Sequence, residues 1–166
     1  ITDLLRNDIG RVSAYGTVKV ENAARLEAYT NVFHLVSIVT GRMAPGRDLT
    51  DLLRATFPGG SITGCPKIRS MEIIDKLEPT VRSVYTGSIG YIGFDGSLDL
   101  NIAIRTLIHK GEVLYYQVGG GIVFDSDPHA EYEETLHKAA SMREAIASTC
   151  KPRTSRTRLP AAGQPD

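Results

Sequence analysis

The sequence predicts an α+β fold, with helices and antiparallel strands in separate stretches of the chain. Two observations predict it. Apolar residues at helical spacing, behind a capping residue or a proline, mark Asp48–Phe57, Gly64–Leu77 and Pro128 to about Ala147 as helices. Between the last two, Ser83–Phe94, Leu98–His109 and Glu112–Val118 read as consecutive strands, broken at Asp95-Gly96 and Lys110-Gly111. Asp-Gly between strand patterns is a strong hairpin signal, so these segments are expected to form an antiparallel meander.

The remaining elements follow in chain order. Asp3–Asp8 reads as a helix end, followed by a turn at Asp8-Ile9-Gly10. Ser13–Glu21 has a strand-like pattern with Gly16 as a break. Arg25–Met43 reads two ways: Leu26, Tyr29, Phe33, Val36 and Val39 partly fit helical spacing, whereas Val32–Val39 is rich in β-branched and aromatic residues. A strand over Phe33–Met43 is the preferred reading. Asp48 is the expected N-cap of the first leucine-rich helix. The stretch Phe57–Pro79 then brings Gly59 and Gly60, the short polar side chains Ser61, Thr63 and Cys65, and a Pro66-Lys67 helix start. Such a loop delivers polar atoms to a helix N-terminus, where anions are favoured. Asp127 is the expected N-cap of the last helix. Ser148–Asp166 is rich in Pro, Arg and Thr and has only Leu159 as a large apolar residue, which predicts a disordered tail. The expected organisation is one domain over residues 1–147 and a tail over 148–166.

Composition bounds the function. Hydrophobic residues make up 42% and charged residues 23% of 166 residues, as in an ordinary soluble domain with one modest core. Formal net charge is zero, so no strong field recruits nucleic acid or an anionic membrane. Cys65 and Cys150 lie far apart and outside any CxxC pattern, which argues against a zinc site or disulfide framework. No apolar run reaches transmembrane length and no signal peptide opens the chain, so a cytoplasmic protein is expected.

Several residues carry candidate chemistry, each beside a plainer reading. Glu131 and Glu134 are three apart on the last helix and share a face, with Lys138 one turn beyond. Two such carboxylates suit a hard cation such as Mg²⁺; equally, first-turn acids complement the helix dipole and Glu134–Lys138 makes a surface ion pair. Gly119, Gly120 and Gly121 let backbone amides close around an anionic oxygen, or make a bulge. Arg105 lies in the apolar stretch Asn101–Ile108, read as strand, and either faces solvent or serves a carboxylate; Tyr85 offers a phenolic donor in the neighbouring strand. His34 in an apolar run fits a core histidine as readily as a site residue. Lys67 fits a snorkelling helix-start lysine.

Seven blocks in order add a resemblance: DLLRND (Asp3–Asp8), VFHLVS (Val32–Ser37), GSITGCPK (Gly60–Lys67), YTGSIGY (Tyr85–Tyr91), LDLNIAIRT (Leu98–Thr106), GGGIVFDSDP (Gly119–Pro128) and AEYEET (Ala130–Thr135). From Ile1 to about Ala147 the chain resembles the chorismate-utilising enzymes, with Cys65 where the family usually has alanine. The resemblance implies the C-terminal part of a two-sheet antiparallel α+β sandwich with helices outside. It implies chorismate as substrate and Mg²⁺ on Glu131 and Glu134, with Lys138 and the amides of Gly119, Gly120 and Gly121 at one substrate carboxylate. Arg105 and Tyr85 would hold the enolpyruvyl carboxylate, Ser61 would offer its hydroxyl to the substrate, with Thr63 close by, and His34 would take part in the elimination or ring chemistry. A glutamine amidotransferase subunit would supply ammonia. Within the family the GSITG and DLNIAIRT blocks look more like aminodeoxychorismate synthase than anthranilate synthase. The family's lysine-bearing Pro-Ile-Lys-Gly-Thr stretch and one further Mg²⁺ glutamate belong upstream of the part matched here. The chain by itself is therefore expected to be inactive.

Overall fold

A computed structural model describes residues 1–28 and 33–149. The chain divides into two compact units, Ile1–Thr106 and Leu107–Asp166.

The first unit opens with α1 (Thr2–Gly10), followed by the antiparallel pair β1 (Lys19–Ala28) and β2 (Phe33–Thr40). The register slips between Glu21 and Arg25, where Ala24 takes a left-handed φ of 55° and its amide donates to Ser37 Oγ at 2.8 Å. α2 (Leu49–Thr56) starts as its sequence dictates. Asp48 Oδ1 accepts from the Asp51 amide at 2.9 Å and Asp51 Oδ2 accepts from the Asp48 amide at 3.3 Å, a reciprocal capping box. A 3₁₀ turn over Gly60–Ile62 leads to α3 (Lys67–Leu77), which stops before Pro79. β3 (Ser88–Ile92) and β4 (Leu98–Ile102) then form a hairpin around Asp95-Gly96, with Gly96 at φ 83°. α1 packs on β2, α2 and the 3₁₀ turn. Val12, Ala55 and Ala103 are the buried apolar residues of this unit among those described.

The second unit holds the short hairpin β5 (Ile108–Lys110) and β6 (Val113–Tyr115) and the long helix α4 (Pro128–Thr149). Asp127 caps α4 as expected, its Oδ1 accepting from the Ala130 amide at 2.8 Å. Ala139 and Met142 are its buried residues.

Several sequence expectations need correction. The chain does not turn at Asp8-Ile9-Gly10: α1 runs through these residues, and the Ile9 carbonyl ends the helix by accepting from the Val12 and Ser13 amides and the Ser13 hydroxyl. The strand expected over Ser13–Glu21 begins only at Lys19, because Ala14–Thr17 form a turn with Gly16 at φ 75°. The strand over Phe33–Met43 ends at Thr40, and Met43 keeps only an isolated bridge to Ser13. The expected continuous meander is two separate hairpins, and the strand expected over Leu98–His109 is interrupted. At the break the Ile104 amide folds back onto the Ile102 carbonyl at 2.8 Å and Arg105 takes φ 51°, a conformation that no ladder accommodates. The tail expected from Ser148 does not hold for Ser148 and Thr149, which complete α4; the rest of that expectation, from Cys150 on, lies outside the described residues.

Candidate functional site

In the second unit, five of the singled-out residues come together where the glycine run meets α4. Lys138 Nζ pairs with Glu134 Oε1 at 2.5 Å and donates to the Gly119 carbonyl at 3.3 Å. Glu131, half-buried, accepts at Oε1 from the Ser126 hydroxyl at 2.6 Å, and that hydroxyl itself accepts from the Val123 amide. The other Glu131 oxygen faces the glycines so closely that a Cβ on Gly120 would lie 2.9 Å from Oε2. A side chain there would displace the carboxylate, which is a physical reason for glycine at this point. The Lys138 hydrogen bond, reinforced by its charge, holds the Glu134 carboxyl below the ordinary glutamate value, so Glu134 is a carboxylate at neutral pH.

The donor set holds the oxygen ligands that a hard cation takes. Glu131 and Glu134 offer two carboxylates on neighbouring turns of one helix. Among the described residues no three His, Cys, Asp or Glu side chains gather into a metal cage. Mg²⁺ is commonly held by one or two carboxylates with waters and substrate oxygens, which is what such a pair provides.

In the first unit, hydrogen bonds join the GSITG loop, the Ser83–Thr86 turn and the bend at Arg105. Arg82 Nη1 donates to the Ile62 carbonyl at 2.8 Å, while its other nitrogens grip Glu78 at 2.6 and 2.9 Å. The hydrogen bond from Arg82 keeps the Glu78 carboxyl below the ordinary glutamate value. The Thr86 amide donates to the Ala103 carbonyl at 2.9 Å, two residues before Arg105. Tyr85 lies in the turn, not in the strand expected for it, because Ser83 and Thr86 adopt φ of 52° and 63° and bend the chain before β3 begins. Arg105 is exposed at the bend, and Ser61 is half-buried in the 3₁₀ turn. His34 is exposed on β2 opposite Glu27. Behind the loop, Ile62, Thr63, Met71, Ile74 and Arg82 line an open cleft of about 450 Å³, to which Thr63 alone of the residues noted in the loop contributes.

One pair escaped the sequence reading. Asp8, 4% exposed, accepts from the Gly60 amide at 2.8 Å through Oδ2 and pairs through Oδ1 with Lys67 Nζ at 2.7 Å. Lys67 also donates to the Pro58 carbonyl at 2.7 Å, so it does not snorkel to solvent. A faint signal was present: Lys67 opens α3, where a cation opposes the helix dipole unless something else holds it.

Comparison with known proteins adds a family. Residues 1–144 match the model of the chorismate binding enzymes. Anthranilate synthase component 1 1 of Haloarcula marismortui is 52% identical over 146 residues, covering 88% of this chain and 30% of that protein. Aminodeoxychorismate synthase component 1 of Bacillus subtilis is 49% identical over 146 residues, covering 88% and 31%. The crystal structure of anthranilate synthase component I from Streptococcus pneumoniae superposes with a TM-score of 0.78 at 48% identity, over 85% of this chain and 32% of that one. The chain thus spans about a third of the length of the relatives it matches.

Proposed function

The chain belongs to the chorismate-binding enzymes, and from that premise we propose that it forms part of a component 1 subunit that aminates chorismate, giving 4-amino-4-deoxychorismate. The observation that carries this reading is the joining of Lys138, Glu134, Glu131 and the glycine run in one place on α4. Glu131 and Glu134 would hold Mg²⁺, which supplies charge neutralisation of a substrate carboxylate and Lewis-acid assistance to the departing ring substituent. Lys138 and the Gly119–Gly121 amides would bind one carboxylate of the dianion. Arg105, whose planar guanidinium suits bidentate carboxylate recognition, and Tyr85 would bind the other. Ser61 would orient the ring through its hydroxyl, and His34 would move a proton during the ring chemistry. Ammonia replaces the ring hydroxyl, which leaves as water, and a glutamine amidotransferase partner would deliver it. The protein is proposed to act in the cytoplasm, on the route to 4-aminobenzoate and folate.

The Gly-Ser-Ile-Thr-Gly wording of residues 60–64 favours this product over anthranilate. A second reading stands because relatives of both names match at nearly equal identity. The test is product identity. The whole enzyme, given chorismate, Mg²⁺ and ammonia, is expected to release 4-amino-4-deoxychorismate, identified by mass and by its lack of anthranilate fluorescence. Fluorescent anthranilate would establish the second reading, and unconsumed chorismate would reject both.

A further inference from the structure

We infer that the buried Asp8–Lys67 pair is a positioning device that fixes the Gly59–Thr63 loop, and with it the Ser61 hydroxyl, for substrate binding. This inference rests on the assignment of Ser61 to chorismate. The two carboxylate oxygens of Asp8 divide their work: Oδ2 takes the Gly60 amide and Oδ1 takes Lys67. Lys67 in turn reaches the Pro58 carbonyl at 2.7 Å and the Ala55 carbonyl at 3.4 Å, so one ion pair restrains the backbone on the N-terminal side of Ser61 and at the end of α2. The fit is close, since a Cβ on Gly60 would lie 3.0 Å from both Asp8 Oδ2 and Leu4 Cβ. On the far side of Ser61, Arg82 holds the Ile62 carbonyl, and the Thr63 hydroxyl closes the turn onto the Gly59 carbonyl at 2.9 Å.

Such a pair is weak evidence for stability. Taking two charges out of water costs about as much as their attraction returns, and apolar residues of similar volume often do as well. The pair supplies direction that an apolar contact lacks: fixed oxygen and nitrogen positions that pin a glycine-rich, otherwise permissive loop. Neither side chain has been assigned a part in the chemistry, so both count as positioning residues.

The experiment uses the whole enzyme with Asp8→Leu/Lys67→Met, which removes both charges together and leaves neither stranded. The double variant is expected to fold, to raise KM for chorismate by about tenfold or more, and to change kcat by less than about threefold. Amide exchange over Gly60–Thr63 is expected to rise at least about tenfold in the double variant. A folded double variant with wild-type KM and wild-type exchange would overturn the inference. So would a double variant that cannot fold, since the pair would then be a determinant of the fold and not of the loop. Wild-type enzyme that ignores chorismate would defeat the functional reading, while the exchange data would still decide whether the pair holds the loop.

Discussion

Glu131 and Glu134 are three residues apart, yet their surroundings give them different tasks. Glu134 is exposed and tied to Lys138, whereas Glu131 is half-buried, fixed by Ser126 and set against Gly120. If both hold Mg²⁺ in the whole enzyme, Glu134→Gln replaces a charged ligand with a neutral one and also removes the charge paired with Lys138. Mg²⁺-dependent turnover is expected to fall by more than about tenfold, with a raised Mg²⁺ requirement in a titration of rate against metal. An unchanged requirement would reduce the pair to a helix-dipole feature. Gly120→Ala probes the same place from the backbone side, because its methyl would enter the 2.9 Å approach to Glu131 Oε2. The carboxylate must then swing away, and kcat/KM is expected to drop by about tenfold or more while the melting temperature stays close to wild type. Of these residues, the shared face of Glu131 and Glu134 could be read from spacing alone, since three residues is just under one helical turn. Asp8 and Lys67 could not: their partners lie 59 residues apart, and local pattern says nothing about which buried charge meets which.

The elements that the sequence specified well are those set by neighbouring residues. Asp48 with Asp51 starts α2, Asp127 starts α4, Pro79 stops α3, and Asp95-Gly96 turns β3 into β4. Each is a local hydrogen bond or steric limit, so a short window of sequence contains its cause. Asp48→Ala removes the acceptor for the Asp51 amide and is expected to destabilise α2 by about 1 kcal/mol, seen as faster amide exchange at Leu52 and Leu53 with little change in α3. Equal exchange in both proteins would show that packing against α1 and not the cap holds this helix. The elements that pattern misread are those where tertiary hydrogen bonds override it. Asn101–Ile108 has a strand composition throughout, but the Ala103 amide and carbonyl are claimed by Gly87 and Thr86, and the Ile104 amide turns back to Ile102. The strand therefore ends at Ile102, and Arg105 is presented from a bend at φ 51° instead of alternating along a ladder.

The exposed apolar surface bears on how the chain behaves alone. Among the described residues only Val12, Ala55, Ala103, Ala139 and Met142 are buried apolar side chains, and no large side chain is fully buried. Leu26, Phe33 and Leu35 on β1 and β2 are 63%, 74% and 72% exposed, and Ile89, Tyr91 and Ile92 on β3 are each more than half exposed. Among the described residues each sheet has two strands, so each strand there has an unpaired edge, and two-stranded hairpins are marginal in water without further strands or a packed face. Apolar area of this kind contributes about 25 cal/mol per Å² once covered, so the chain gains by covering it with other copies when nothing else is present. The relatives it matches are about three times as long. The 166-residue chain by itself is therefore expected to sediment as oligomers or to precipitate at micromolar concentration, and to leave chorismate unconsumed over hours with Mg²⁺ and ammonia. Expressed as part of the whole component 1 subunit, the same residues are expected to remain monodisperse and active. A stable, active monomer of the isolated chain would show that this chain suffices for the chemistry, and that the exposed strand faces are surface by design and not faces awaiting a partner layer.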